Sequence, residues 1–119
     1  MISMREAYEK IGANYDDACA RLMGEEMLAR FALKFLDDES MDKLEAAMAA
    51  GDAEGAFMAA HTLKGVAQNL GFDRLYAVSV PLTEAMRGAK PLDDFSLLAA
   101  VQTVQAETLA AIAKLDDTP

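Results

Sequence analysis

The residue in this sequence best suited to chemistry is His61, the only histidine in the chain. Lys64, Gly65 and Gln68 follow it at i+3, i+4 and i+7, so a helix would gather all four on one face. A neutral imidazole nitrogen is a nucleophile near neutral pH. A phosphoryl group on that nitrogen would be anionic, and the ammonium group of Lys64 would offset its charge. The spacing therefore predicts a phosphoryl-accepting histidine with a cation one turn away.

Two further features of this face are unusual for a solvated surface. Gly65 lies in the middle of the expected helix, where glycine costs about 1 kcal/mol relative to alanine, and its missing side chain would leave room beside the imidazole. Apolar Phe57, Met58 and, just past the helix end, Phe72 are expected to border the polar residues, a pattern typical of a docking surface. A lone helical histidine is more often an ordinary residue, so the interpretation depends on the whole arrangement.

The helix that must position this face is predicted over 53–70, with Asp52 as its N-cap and Gly71 as its end. The opposite side of a helical wheel is apolar and is expected to be buried; it comprises Ala56, Ala59, Ala60, Leu63, Val66, Ala67 and Leu70. His61 lies nearly opposite this stripe. The pattern therefore predicts an imidazole that points to solvent from the middle of a packed helix.

Glycine and proline divide the rest of the chain into further helical segments. The spacing of apolar residues predicts helices over approximately 13–23, 25–37, 41–50, 74–87 and 95–115. We expect Ser40 to cap the helix over 41–50, and Asp93 or Asp94 to cap the last helix. Pro81 predicts a kink or break near Val80. The short connections favour an all-α fold, an antiparallel up-down four-helix bundle with an additional short N-terminal helix.

Composition limits the functions open to this chain, which we interpret as one domain over residues 1–119. Hydrophobic residues make up 53% of it, enough for a core, and the abundance of alanine, leucine and methionine favours helices. The net charge of −9 opposes binding to nucleic acid or to an anionic membrane surface. No membrane span or signal peptide is evident, so we expect a cytoplasmic protein. A single cysteine, Cys19, excludes an internal disulfide and offers no metal-binding cluster.

Two stretches of the sequence resemble the signature of histidine-containing phosphotransfer (HPt) domains. Residues 60–65 read A-H-T-L-K-G, and residues 69–72 read N-L-G-F. The resemblance extends more weakly over nearly the whole chain. It implies a four-helix bundle whose exposed histidine exchanges phosphoryl groups with aspartates of receiver domains. By this resemblance His61 is the phosphoacceptor, Lys64 steadies the phosphate and Gly65 gives access.

The resemblance also implies further contacts and partners. Gln68 is a candidate polar contact. The family often places a glutamine on the following helix near the histidine ring; this chain has Thr83 in that region, which makes Thr83 a candidate imidazole contact. The implied partners are response-regulator receiver domains, a hybrid histidine kinase or both, with Mg²⁺ supplied by the partner and no cofactor or metal held by this chain. We expect a monomeric phosphoryl carrier without its own ATP-dependent kinase activity, and Met1 favours a free-standing protein.

Two other classes of function remain open on the sequence alone. A non-phosphorylated helical adaptor would keep the fold and dock a receiver or kinase domain through the same face, although docking alone has no need for His61. A helical bundle that binds a metal or cofactor would normally require several inward ligands, often Glu-x-x-His pairs. The single histidine, predicted to point outward, makes this last function the least favoured.

Overall fold

The structure is a computed structural model that describes residues 2–116. Over this range the chain forms helices and no β-strand, so the all-α prediction is confirmed. The α-helices are α1 (Met4–Lys10), α2 (Tyr15–Arg21), α3 (Glu25–Lys34), α4 (Ser40–Ala50), α5 (Ala53–Asn69), α6 (Asp73–Ala85) and α7 (Ser96–Asp116). A short 3₁₀ helix, Phe35–Asp37, follows α3.

The helix that bears His61 is held between two neighbours. α5 packs against α4 on one side and against α6 on the other, and α6 packs against α7. α1, α3 and the 3₁₀ helix also contact α7. The largest fully buried side chains come from several of these helices and the turn after α5; they include Tyr8, Leu28, Leu44, Leu63, Phe72, Leu75, Leu82 and Ile112. A shared core therefore fixes the position of α5.

Both ends of α5 follow from local chemistry. Asp52 Oδ1 accepts a hydrogen bond of 2.9 Å from the backbone N–H of Gly55, which confirms the predicted N-cap. At the other end Gly71 has φ +69°, the left-handed conformation that glycine adopts after helices. A Cβ atom at Gly71 would lie 2.6 Å from the backbone oxygen of Asn14. Glycine is thus required there by space as well as by backbone conformation.

The N-terminal segment fastens the turn that follows α5. The Tyr8 hydroxyl donates a buried hydrogen bond of 2.6 Å to the backbone oxygen of Leu70. The backbone N–H of Asn14 donates to the oxygen of Gly71 at 2.8 Å. The ring of Phe72 lies 5.5 Å from the ring of Tyr8. These contacts join segments that are far apart in sequence, and they fix the point at which the chain leaves α5 for α6.

The helix α1 is an element that the sequence interpretation did not include. Ser3 Oγ caps it by accepting a hydrogen bond from the backbone N–H of Glu6 at 3.1 Å. Met4, Ala7 and Tyr8 are buried, whereas the charged residues between them are exposed. The helix was missed because few of its residues are apolar. Those few lie on one face and find a partner only in the folded protein.

Two of the predicted helix starts can be compared with the structure. Ser40 is the first residue of α4 and is buried, so its prediction as the cap is wrong. Its backbone N–H donates instead to Asp38 Oδ1 at 2.8 Å, because an acidic side chain two residues earlier meets that donor first. For α7 the capping carboxylate is that of Asp94, whose Oδ1 accepts from the backbone N–H of Ser96 at 3.0 Å.

The predicted break near Pro81 does not occur, because α6 continues from Asp73 to Ala85 with the proline inside it. A proline within a helix leaves the carbonyl of residue i−4 without its usual donor. Here that residue is Ala77, and both Ala77 and Pro81 are exposed. Water can therefore reach the unpaired carbonyl, and the helix tolerates the proline on its solvent face.

One helix passes a simple test for a membrane span. The segment Ser96–Leu115 of α7 is long and apolar enough by length and composition alone. A third of the tested window, 33%, is buried in the fold, and the core helix of a soluble bundle passes the same test. The result is therefore weak support for a membrane span.

Candidate functional site

His61 lies in the middle of α5 with its side chain exposed. The opposite face of the helix is buried through Ala56, Ala59, Ala60, Leu63 and Ala67, followed by Leu70, while Val66 is half-buried. The predictions of a buried alanine-rich stripe and of a solvent-facing imidazole are confirmed. A phosphoryl donor therefore has direct access to the ring.

Phe57 supports the imidazole from within α5. The two rings lie one helical turn apart with their centroids separated by 5.9 Å and their planes inclined by 25°, a stacked arrangement. Phe57 is half-buried, so one part of its ring is packed in the fold while another part meets His61. The predicted position of Phe57 at the border of the exposed face is confirmed, and its ring favours one orientation of the imidazole.

An ion pair between Glu84, in the last turn of α6, and Arg87, just after the helix, lies beside the same surface. The Arg87 guanidinium carbon lies 5.6 Å from the centroid of the Phe57 ring, within the range of a cation–π contact. Arg87 Nη2 donates to Glu84 Oε1 at 2.6 Å, and Arg87 Nε donates to Glu84 Oε2 at 2.9 Å. A two-point contact of this kind fixes both side chains more firmly than a single hydrogen bond would.

The charges on this surface influence one another. Hydrogen bonding to Arg87 lowers the pKa of the Glu84 carboxyl, and the charges of Arg87 and Lys64 lower it further. Hydrogen bonding to Glu84 in turn raises the pKa of Arg87. Lys64 is half-buried and belongs to this group of charges. Glu84 and Arg87 were not among the predicted site residues. Their i, i+3 spacing is typical of an ion pair, but it does not indicate that the pair lies beside α5.

Gly65 has no role in the packing of the protein itself. A Cβ atom added there would meet nothing within 4 Å. By contrast, a Cβ atom at Gly55, in the first turn of the same helix, would collide with the Asp52 carboxylate that caps the helix. Glycine in a helix interior costs about 1 kcal/mol of stability relative to alanine, and no packing contact within the fold requires a glycine at position 65. The open space is available to an approaching molecule.

The remaining polar and apolar residues of this face extend it along α5. Gln68 is exposed, and Met58 is 56% exposed, which is unusual for a large apolar side chain. A shallow groove of about 490 Å³ runs between α4 and α5 beside Met58 and Thr62, and small side chains such as Ala47 and Ala59 form part of its lining. The exposed face thus continues from His61 towards α4.

The prediction that Phe72 borders this face is wrong. Its side chain is 1% exposed and packs in the core. Its ring lies 5.5 Å from that of Tyr8 and 5.2 Å from that of Phe35. The left-handed turn at Gly71 ends the helical spacing on which the prediction rested and directs the next side chain inward.

Thr83 does not form the expected contact with the imidazole. Its side chain is fully buried, and its hydroxyl donates to the backbone oxygen of Ser79, one turn earlier in α6, at 2.7 Å. Hydroxyls of threonine in helices commonly bond to this carbonyl. Within residues 2–116 no hydrogen bond joins Thr83 to His61. The side chain of Phe57, not that of Thr83, is the one that contacts the ring.

The described residues offer no evident site for a metal ion. Between residues 2 and 116 no group of three or more histidine, cysteine, aspartate and glutamate side chains is placed to hold one. The chemical groups gathered on the exposed face are an imidazole, an ammonium group and an arginine–glutamate pair. Such a surface has a nucleophile and positive charge, the two properties needed to accept an anionic group.

Comparison with known proteins identifies the class to which this fold and this site belong. Residues 34–116 match the model of the Hpt domain family. This range is more than half of the chain and contains α4 to α7 with the whole exposed face, so the chain belongs to the Hpt domain family, as its motif indicated. Members of this family are phosphocarriers rather than kinases, and membership supports a role in histidine phosphotransfer. No curated protein and no solved structure matches the chain significantly.

Proposed function

We propose that this protein is a histidine phosphotransfer protein of a two-component phosphorelay and that His61 carries the phosphoryl group between receiver-domain aspartates. The observation that carries this proposal is the exposed imidazole of His61, stacked on Phe57, on the helix that bears the Hpt motif. The proposal treats residues 1–119 as one Hpt domain. It also treats α5, α6, α7 and the combined region of α3 and α4 as the four members of an antiparallel up-down four-helix bundle.

The transfer step needs only the nucleophile from this chain. An imidazole nitrogen of His61 attacks the phosphorus of an aspartyl phosphate, so that an N–P bond forms while the O–P bond breaks and the aspartate carboxylate leaves. The other ring nitrogen keeps its hydrogen. In the return step a carboxylate oxygen of a second receiver's aspartate attacks the phosphorus, so that an O–P bond forms while the N–P bond breaks and the imidazole of His61 leaves. Lys64 offsets the charge of the phosphoryl group, which at ~4 Å is worth roughly 1 kcal/mol in water and more once a partner excludes solvent.

The partner binds across the exposed face of α5. Gly65 leaves space beside the imidazole, and Met58 and Gln68 contribute apolar and polar contact area. The partners are receiver domains of response regulators, a hybrid histidine kinase or both, and they supply the Mg²⁺ and the other catalytic groups. The protein acts as a cytoplasmic monomer and does not phosphorylate itself from ATP.

Phosphoryl labelling tests the proposal. The full chain is incubated with receiver domains phosphorylated by acetyl phosphate and, separately, with the small donor phosphoramidate. We expect an acid-labile, base-stable phosphoryl group on the wild-type protein and none on His61→Gln, whose helical circular dichroism should be unchanged. Labelling that persists in His61→Gln would reject the assignment. Binding of a receiver domain without any labelling would favour the adaptor function instead.

A further inference from the structure

The ion pair at the C-terminal end of α6 lies next to the site on α5. Arg87 makes both hydrogen bonds to Glu84, at 2.9 and 2.6 Å, and its guanidinium group lies 5.6 Å from the ring of Phe57. Phe57 in turn stacks on His61. These contacts connect the Glu84–Arg87 ion pair with the imidazole on α5 through the ring of Phe57.

Glu84 lies beside the turn of α5 that carries His61 and Lys64. Because α5 and α6 are joined by a short turn over 70–72 and pack against each other, they run in opposite directions. Arg87 lies just past the end of α6, and Glu84 lies one turn earlier, within the helix. Since the two helices run in opposite directions, Glu84 faces a part of α5 that lies further along the chain than Phe57. In agreement with this placement, the charge of Lys64 contributes to the lowered pKa of the Glu84 carboxyl.

The Glu84 carboxylate is hydrogen-bonded to Arg87 and not to Lys64. The contacts between Arg87 and Glu84 are two short hydrogen bonds, whereas no ion pair within 4.0 Å joins Lys64 to Glu84 in the described part of the chain. Within residues 2–116 the ammonium group of Lys64 forms no ion pair with a carboxylate. A free cation near His61 is what an arriving phosphoryl group requires.

We infer that Arg87 is a positioning residue that holds the Glu84 carboxylate away from Lys64 and so keeps Lys64 available to the phosphoryl group on His61. The inference rests on the proposed function of His61. Without Arg87, Lys64 is the cation whose charge still acts on Glu84. The carboxylate would then neutralise Lys64 and would place a negative charge beside the incoming phosphoryl group, and both changes oppose phosphorylation.

A double-mutant experiment separates this mechanism from a structural one. The full chain is phosphorylated with phosphoramidate at low ionic strength, and the rate of His61 labelling is measured by mass spectrometry. We expect Arg87→Gln to slow labelling about fivefold, a modest effect because the charges involved lie at a solvated surface. Adding Glu84→Gln to this variant should restore the wild-type rate, because the carboxylate that captures Lys64 is then neutral.

The matched control is Arg74→Gln. Arg74 lies in the first turn of α6, at the opposite end of the helix from Glu84, and pairs with Glu107 of α7 at 3.1 Å, so its loss should leave the labelling rate unchanged. An Arg87→Gln rate equal to that of wild type would overturn the inference. So would a double mutant as slow as Arg87→Gln, because Arg87 would then act through Phe57 or directly on the phosphoryl group. An unlabelled wild-type protein would instead overturn the proposed function itself.

Discussion

The Hpt motif of this protein has two parts with opposite environments. The first part, 61–65, is mostly at the surface, and its glycine borders open space. The second part, 70–72, is buried, and its glycine is in contact with the backbone of Asn14. Both parts contain a leucine and a glycine within one short stretch of sequence. The fold requires the glycine of the second part, whereas only an approaching molecule would require that of the first.

The buried part is fastened by residues outside the matched family region. Tyr8 and Asn14 hold the turn through hydrogen bonds to Leu70 and Gly71, and both precede the match over 34–116. The exposed part has no such contacts with α1 or α2. Substitutions should therefore separate the two parts, because changes in the turn act on stability and changes on the exposed face act on phosphotransfer.

The largest effect is expected for Gly71→Ala. The residue has φ +69°, and its Cβ atom would lie 2.6 Å from a backbone oxygen that cannot move without shifting α2. We expect a loss of about 3 kcal/mol in the free energy of unfolding, from left-handed strain and overpacking together. Urea denaturation followed by circular dichroism measures it. A midpoint equal to that of wild type would show that the turn is less constrained than its contacts indicate.

Removal of the Tyr8 hydroxyl should have the next largest effect. Tyr8→Phe leaves the buried oxygen of Leu70 without its donor, so we expect a loss of about 1 to 2 kcal/mol in the free energy of unfolding. The rate of His61 labelling should not change, because the hydroxyl belongs to the buried part of the motif. A slower rate at equal folded fraction would contradict the separation of the two parts.

The same hydroxyl predicts a dependence of stability on pH. Burial, followed by the nearby Cys19 and Tyr15, raises the pKa of Tyr8 well above its ordinary value of about 10. The folded protein therefore keeps the hydroxyl neutral where the unfolded chain would release its proton. This contribution to stability is complete below about pH 10 and decreases as the pH rises above it. Urea denaturation at a series of pH values measures the free energy of unfolding of wild type and of Tyr8→Phe. The difference between the two free energies should decrease in this alkaline range.

Local signals were sufficient to predict the helix that carries the site. The cap at Asp52, the end at Gly71 and the apolar stripe between them all act within a few residues, and all three are confirmed. The exposure of His61 follows from the same wheel, because a residue opposite a packed stripe has to face solvent. The sequence therefore predicted the part of the site that one helix determines.

Contacts between helices could not be predicted from the sequence. Helical spacing places Phe72 at the surface only if α5 continues past Gly71, which it does not. In the structure Phe72 packs against Tyr8 and Phe35, and these contacts depend on tertiary packing. Likewise, the spacing of Glu84 and Arg87 predicts an ion pair but not its position over Phe57. Contacts of this kind, between residues that are distant in sequence, required the structure.

The smallest effect on stability, and one of opposite sign, is expected at Gly65. Since a Cβ atom there meets nothing within 4 Å, Gly65→Ala should raise the free energy of unfolding by up to about 1 kcal/mol. Gly65→Gln should keep part of this gain but place a long side chain in the space that a partner would enter. We therefore expect it to slow transfer from a phosphorylated receiver domain more than labelling by phosphoramidate, which is small enough to reach His61. The prediction fails if, with each donor taken separately, wild type, Gly65→Ala and Gly65→Gln are phosphorylated at the same rate. The space at Gly65 would then serve no partner, and the difference between the two glycines of the motif would have no functional meaning.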